Sequence, residues 1–564
     1  MAGAGARERR GRRALKLIER LHRLEDITVS ALLALMVVLP IAEIVARLAG
    51  SGIPGAVPFE QHLTLWVGFL GAAIAAREDR LLALATGKLM PEGPWRDAAR
   101  IFTGFVGAAV SVLLCWASVE LVLVDREAGA DIAAGVPVWV GELVMPIAFG
   151  LLAVRLVIMV SEKWWGRAIA ALGIVVAVVV GFRAESLADT SAVPGLVLLL
   201  VATLLGGPIY VALGGAALVL FLSDGIPIAA IPIETYRLAV SPTLAAIPLF
   251  TLTGFLLAEG RASERLLHVF RAVFGWMPGA TAVVCAVTCA FFTVFTGGSG
   301  VTILALGGLL LQALLADRYR ENFSLGLLTA SGSLGLLLPP ALPLILYGIV
   351  AEVSIEDLFI GGLLPGALLI GLVAAWGIRE GLRSGASRTP FSGREALKAV
   401  WEGKWELLLP IVILVSIFGG YATLVESAAI AALYAFVVQC FVHRDLSLRD
   451  LVGVLQKCAV LVGGVLIILG VAMGLTSWLV DARIAAQLVE LVQANVESKI
   501  VFLLCLNLFM LLVGCLMDIF SAIIIVVPLI APVATEFGID PVHLGIIFLA
   551  NLEIGYLTPP VGVN

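Results

Sequence analysis

"SGSLGLLLPP", residues 331–340, and "NLEIGYLTPP", residues 551–560, each end an apolar run on two adjacent prolines. A proline inside a helix removes one backbone donor and blocks the carbonyl a turn earlier. Pro339-Pro340 and Pro559-Pro560 therefore break two helices, and Gly335 and Gly555 loosen the same turns. In hydrocarbon a freed carbonyl costs several kcal/mol unless protein, water or an ion meets it. Ser331, Ser333, Asn551 and Thr558 add hydroxyl and amide oxygens to the same stretches. Such a weakly charged oxygen cage suits Na⁺ better than a transition metal, which would want His or Cys. One such stretch is most often a kink that only shapes packing. Two in corresponding halves point to a transporter site.

The surrounding composition supports a membrane setting. The chain has 564 residues, 61% of them hydrophobic and 14% charged, with mean hydropathy +1.08. Soluble domains are near half apolar and a quarter charged. This chain is expected to be an all-α polytopic membrane protein in the lipid bilayer, since a spanning helix needs roughly 20 apolar residues. The alternating ten-residue strands of an outer-membrane barrel are absent from the sequence. The basic opening "RERRGRRALKLIERLHR" predicts a cytoplasmic N-terminus. Seven cysteines lie in or beside apolar runs and read as small buried apolar residues, with no metal or redox role. The sequence holds no HExxH, no GxSxG elbow and no P-loop, so neither an enzyme nor an ATP-driven motor is indicated. The basic clusters lack any nucleic-acid reading module.

Four apolar runs, about residues 27–48, 61–85, 98–124 and 138–160, form a first region over 1–165. A fusion helix at 168–182 and an acidic junction occupy 166–193. From 194 to 564 the apolar runs are broken by Gly, Pro, Ser and Thr, and a mixed-charge stretch at 379–406 divides them into halves. An offset of 220 residues superposes Pro339-Pro340 on Pro559-Pro560, Gly335 on Gly555 and Ser331 on Asn551. "TGGSGVT" (296–302) then falls opposite "CLMDIFSA" (515–522), and three features in one order at one offset indicate a repeat. "DRYREN" (317–322) carries two arginines and "TEFGIDP" (535–541) two acids and no base, so the repeats are expected to be inverted across the membrane. The crossings between 183 and 276 do not resolve from the sequence.

Each of the paired stretches reads as the tip of a hairpin that enters the membrane and turns back. Gly297, Gly298 and Gly300 permit the first turn. Asp518 would sit at the second tip, either as an intramembrane functional carboxylate or as a helix cap. Glu553 is expected to pair with a Lys or Arg on a neighbouring helix. Glu43, Glu60, Arg77, Glu120, Glu142 and Arg155 read as structural pairs or snorkelling groups. Glu426 is open to either reading.

These residues resemble the tripartite ATP-independent periplasmic (TRAP) transporters in the form that fuses small and large membrane components. "LTASGSLGLLLPPALPLILYG", "MDIFSAIIIVVPLIAPV", "GGYATLVESAAIAALYA" and "GIDPVHLGIIFLANLEIGYLTPPVGVN" carry the large-component likeness. "PFEQHLTLWVGFLGAAIAARED" carries the small-component one. The resemblance implies a Na⁺-driven secondary importer in the bacterial inner membrane, fed by a separate periplasmic solute-binding protein. It also implies an elevator motion of the large part on a scaffold widened by the small part. Substrates would be organic anions such as carboxylates, sialic acid or sulfonates. The implied Na⁺ ligands are Ser299, Gly300, Thr302, Ser331, Gly332 and Gly335 in the first half. In the second they are Asp518, Ser521, Asn551, Gly555 and Thr558.

Two departures stand out. Val301 replaces the second serine of the usual Ser-Gly-Ser hairpin tip, and Ala341 follows Pro339-Pro340 where the family has Ser. The chain also stops at "TPPVGVN", where the family runs on, so a C-terminal continuation is expected. A binding-protein-independent anion/Na⁺ symporter of another inverted-repeat family is the alternative, and the four extra N-terminal helices argue against it. A membrane enzyme lacks a catalytic constellation here, and a channel would want a charged ring.

Overall fold

The computed structural model describes residues 2–83, 91–161, 163–385, 390–496, 498–517 and 519–558. Asp518, Pro559 and Pro560 lie outside the described residues. Helices dominate, and among the described residues eight are long and apolar enough to cross a membrane. Among the described residues, the strand pairing is a short ribbon of Asp131–Ala133 antiparallel to Val136–Pro137, after the helix Pro94–Ala128, and one isolated bridge between Ala83 and Pro208.

The N-terminal runs form Ala2–Leu48, Ala56–Arg77, Pro94–Ala128, Val144–Met159 and the fusion helix Trp164–Phe182. Of the six charges singled out in this region, four find partners, as the sequence suggests. Arg77 reaches Glu25 (3.1 Å) and Asp26 (2.5 Å), and Arg155 reaches Glu25 (2.5 Å). Glu43 accepts the Ile53 N–H, and Glu120 accepts from Trp116 Nε1. Glu426 closes a capping box with Thr423 and pairs with Arg47. Glu60 and Glu142 differ: both are buried without a basic partner among the described residues.

This bundle meets the rest of the chain along several helices, most closely at one crossing. Ala56–Arg77 runs along Leu448–Asp481, and a Cβ at Gly71 would lie 2.1 Å from the Ala459 carbonyl oxygen. A Cβ at Gly463 would lie 2.1 Å from the Ala72 amide nitrogen. Small residues let helix backbones touch in lipid, where no hydrophobic drive exists between helices. Gly71→Val is therefore expected to destabilise the protein by about 1–3 kcal/mol or more, read as a lowered melting temperature in detergent.

The 220-residue repeat appears element by element. The offset carries Ser299–Ala316 onto Ile519–Glu536, and the start of Glu321–Ser331 onto the start of Pro541–Gly555. It brings Ala280–Thr296 to within one residue of Lys499–Leu516, and Ala262–Phe274 to within two of Ile484–Asn495. The stretch between 183 and 276, unresolved by sequence, contains four helices of 10–15 residues before Ala262–Phe274: Val193–Leu204, Ile209–Ser223, Ala230–Ala239 and Ala246–Glu259. Gly206-Gly207-Pro208 and Ser241-Pro242 interrupt them. The offset counterpart of the last two helices is the single helix Leu448–Asp481, which has no proline at those positions.

Candidate functional site

The first hairpin turns in two residues. Ala280–Thr296 is closed by Gly297 at φ +64°, and extended Gly298 precedes the start of Ser299–Ala316. Gly297 is required twice: its φ disfavours other residues, and a Cβ would meet Leu342 Cδ1 at 2.3 Å. The tip thus rests on Leu342, where the helix after the Pro-Pro pair begins.

Between Ser331 and Leu342 the helix is interrupted, as the sequence predicts. Glu321–Ser331 stops, residues 332–340 are turns, and Leu342–Val350 restarts. Four residues apart gives way to three: Leu336 N–H bonds the Ser333 carbonyl and Leu338 N–H the Gly335 carbonyl. Gly335 lies so close to the first hairpin arm that a Cβ would be 2.2 Å from the Ala290 oxygen. That contact draws the Gly332 carbonyl to Thr293 Oγ1 at 2.8 Å.

A cluster of oxygens gathers where break and hairpin meet. Thr302 Oγ1 is 3.0 Å from Thr293 Oγ1 and 2.9 Å from Thr296 Oγ1, and 3.5 Å from the Gly298 carbonyl. Thr293, Thr296 and Thr302 are buried. Thr293 Oγ1 also lies 2.8 Å from the Cys289 carbonyl, so one proton faces three acceptor oxygens within 3.0 Å. Ser331 is fully buried, and its hydroxyl has no hydrogen-bond partner. Ser299 is buried at the tip, while Gly300 faces open space. Of the first-half residues singled out from sequence, Thr302 and Gly332 join this cluster, and Gly335 holds it closed. Thr293 and Thr296 escaped the sequence reading. Their signal was two hydroxyls three apart on the arm, immediately before the Gly-Gly turn.

The second half departs from expectation. Pro541–Gly555 is one continuous helix through Asn551, with turns only from Tyr556 to Thr558. Leu552 and Glu553 are good helix formers where the first half has Gly332 and Ser333. The effect of Pro559, which reaches back one turn, therefore begins at Gly555. Asn551 sits inside the helix and donates from Nδ2 to Asn507 Oδ1 (2.5 Å) and the Ile547 carbonyl (2.8 Å). Asn507, a lone amide in an apolar arm, was also missed by the sequence reading. Thr558 is exposed and its hydroxyl donates to the Ile554 carbonyl of its own helix. Gly555 abuts Gly514 at the position equivalent to the Gly335–Val294 contact. Ser521 is buried near the start of Ile519–Glu536, and Asp518 lies outside the described residues. Glu553 does not find its expected cation: it is buried, no basic group reaches it among the described residues, and its Oε1 has no hydrogen-bond partner.

The halves meet where Leu342–Val350 packs on Ile519–Glu536 and on Pro541–Gly555. There Tyr347 donates to the Pro541 carbonyl at 3.0 Å. The arrangement is one of neutral and hydroxyl oxygens facing a helix break. Among the described residues it holds no nucleophile–base pair.

The comparisons with known proteins agree with this architecture. Residues 196–564 match the model of the tripartite ATP-independent periplasmic transporter, DctM component, and residues 36–166 match the DctQ component. An isethionate TRAP transporter permease protein, DctMQ, from Oleidesulfovibrio alaskensis is 32% identical over 471 residues, 82% of this chain and 73% of that protein. The C4-dicarboxylate TRAP transporter large permease protein DctM of Vibrio cholerae is 34% identical over 344 residues, 57% of this chain and 76% of that one. The sialic acid TRAP transporter large permease protein SiaM of the same organism is 32% identical over 325 residues, 57% of this chain and 75% of its own length. A broken helix clasped by a hydroxyl-lined hairpin, behind an N-terminal bundle in the same polypeptide, thus belongs to a transporter permease and not an enzyme: the chain is a member of the tripartite ATP-independent periplasmic transporters, with small and large membrane components fused.

Proposed function

We propose that this permease couples Na⁺ entry to import of a small organic anion, received from a soluble periplasmic binding protein and carried by an elevator motion of the two hairpins. The inner membrane holds it, with the N-terminus in the cytoplasm, in keeping with the basic opening segment. The observation that carries the ion reading is the Thr293–Thr296–Thr302 cluster with the Gly298 and Gly332 carbonyls. Hydroxyl protons are fewer than the oxygens crowded there, so a hard cation relieves what hydrogen bonds leave unmet. The buried Ser331 hydroxyl, without a partner one residue before Gly332, is a further candidate ligand of the same type. In the second half Asp518, Ser521 and Asn551 are the proposed counterparts, joined by Asn507. Thr558, exposed and bonded within its own helix, supports an ion site less than these do.

The relatives named for isethionate, C4-dicarboxylates and sialic acid make small acids the first candidates for the cargo. Reconstituted protein is therefore tested with radiolabelled isethionate, succinate and sialic acid. Uptake of one of them is expected only with the cognate binding protein outside and an inward Na⁺ gradient. Equal uptake without the gradient removes Na⁺ coupling. Uptake without the binding protein would favour a self-sufficient symporter.

A further inference from the structure

The helix Ala262–Phe274 leads directly into the first hairpin, and Ile484–Asn495 leads into the second. The repeat makes them equivalent, yet among the described residues the first forms ion pairs with other helices and the second forms none. Arg265 on it donates through Nε to Glu406 Oε1 (2.7 Å), through Nη1 to Asp445 Oδ2 (2.7 Å) and through Nη2 to Gln439 Oε1 (3.1 Å). Asp445 also accepts the Arg261 N–H at the helix start (3.1 Å), where a carboxylate favours the helix dipole. His443 Nε2 stands 3.5 Å from Glu406 Oε1. One turn of π-helix, Val438–Val442, brings Gln439 and the following His443 and Asp445 to the same side. Gln439 presses on Gly260, where a Cβ would be 2.4 Å from its Oε1. The Glu406 side chain is fully buried and Arg265 is 17% exposed.

The 220-residue offset places Ala485 opposite Arg265, Ser186 opposite Glu406, Val219 opposite Gln439, Ser223 opposite His443 and Gly225 opposite Asp445. None of these five positions has a charged counterpart. Pulling Arg265 out would strand a buried carboxylate, which is strongly unfavourable. Past Phe274 the chain softens at Gly275, Pro278 and Gly279, the last at φ +72°.

We infer that Arg265 is a positioning residue that pins Ala262–Phe274 to Lys404–Phe418 and to the π-turn Val438–Val442 throughout the cycle, so the first hairpin pivots at Gly275–Gly279 while the second connector moves as a whole. This deepens the transport reading and rests on it. Its test has one arm that needs no transport. Nitroxide labels at Glu264 and Leu448, both exposed, are expected to keep one narrow distance with and without Na⁺. Labels at Gln487 and Leu448 are expected to shift or broaden. Equal behaviour of the two pairs overturns the inference, whether or not uptake has been found. In the second arm Arg265→Gln is expected to slow uptake roughly tenfold or more. An Arg265→Cys/Asp445→Cys variant should be equally slow and regain speed when bridged by a bifunctional maleimide, with single-cysteine variants as the reference. A bridge that leaves uptake slow, or a wild-type rate in Arg265→Gln, overturns it. Wild-type protein that moves no acid, beside a fixed first label pair, counts against the transport reading alone.

Discussion

Gly335→Val is expected to abolish uptake, whereas Gly326→Val leaves it near the wild-type rate. The two glycines are nine residues apart, but their surroundings are opposite. A Cβ at Gly335 would stand 2.2 Å from the Ala290 carbonyl oxygen and 2.7 Å from the Val294 amide nitrogen. Both are backbone atoms of a hydrogen-bonded helix, so neither can turn aside as a side chain would. The break segment must lift off the hairpin arm, taking the Gly332 carbonyl from Thr293 with it. Overpacking of this kind costs about 1–3 kcal/mol, occasionally more, and here the same displacement opens the oxygen cluster. Gly326 has nothing within 4 Å of its added carbon. Gly555→Val, whose Cβ would lie 2.6 Å from Gly514 Cα, should behave like Gly335→Val. The measurement is uptake per inserted protein together with the melting temperature. Normal uptake in Gly335→Val would mean that the break and the arm need not touch.

Thr302→Val is expected to raise the Na⁺ concentration for half-maximal uptake about tenfold or more, while Thr302→Ser stays close to wild type. Valine keeps the shape of threonine and removes one oxygen from a small cage of hard ligands. Thr302 is fully buried and sits within 3.0 Å of two other hydroxyls, so its loss also removes their shared partner. A buried hydroxyl left unpaired costs about 1–3 kcal/mol, and the melting temperature should fall in step. The two contributions separate in a Na⁺ titration. Unchanged half-saturation with reduced stability would make the cluster a clasp for the hairpin and not an ion site.

Much of this architecture is legible in the sequence, because the features that make it are local. Pro339-Pro340 and the Gly297-Gly298 turn each act over a few residues of chain, the 220-residue offset only repeats such local features, and each reappears in the structure. The place of the second break was misjudged because prolines mark where a helix must end, not where it first yields. Leu552 and Glu553 hold the turn that Gly332 and Ser333 release. Thr293 was missed because a β-branched residue in an apolar arm looks like packing, and only the hairpin fold sets it against Thr302 and Gly332. Glu553 was assigned a partner on general cost grounds that its neighbours do not meet. Arg265 finds Glu406 and Asp445 more than a hundred residues away, and no local pattern announces such pairs.

The contact between Gly71 and Ala459 also sets a schedule for making the protein. About 390 residues separate the two, and at a synthesis rate of 5–20 residues per second the second helix emerges roughly 20–80 s after the first. During that interval the glycine face of Ala56–Arg77 meets only lipid, or whatever chaperone or wrong helix reaches it first. A separate small component would have to find its partner by diffusion in the membrane. In the fused chain the partner arrives on the same tether, once for every bundle, so assembly depends on the order of translation rather than on the abundance of a second polypeptide.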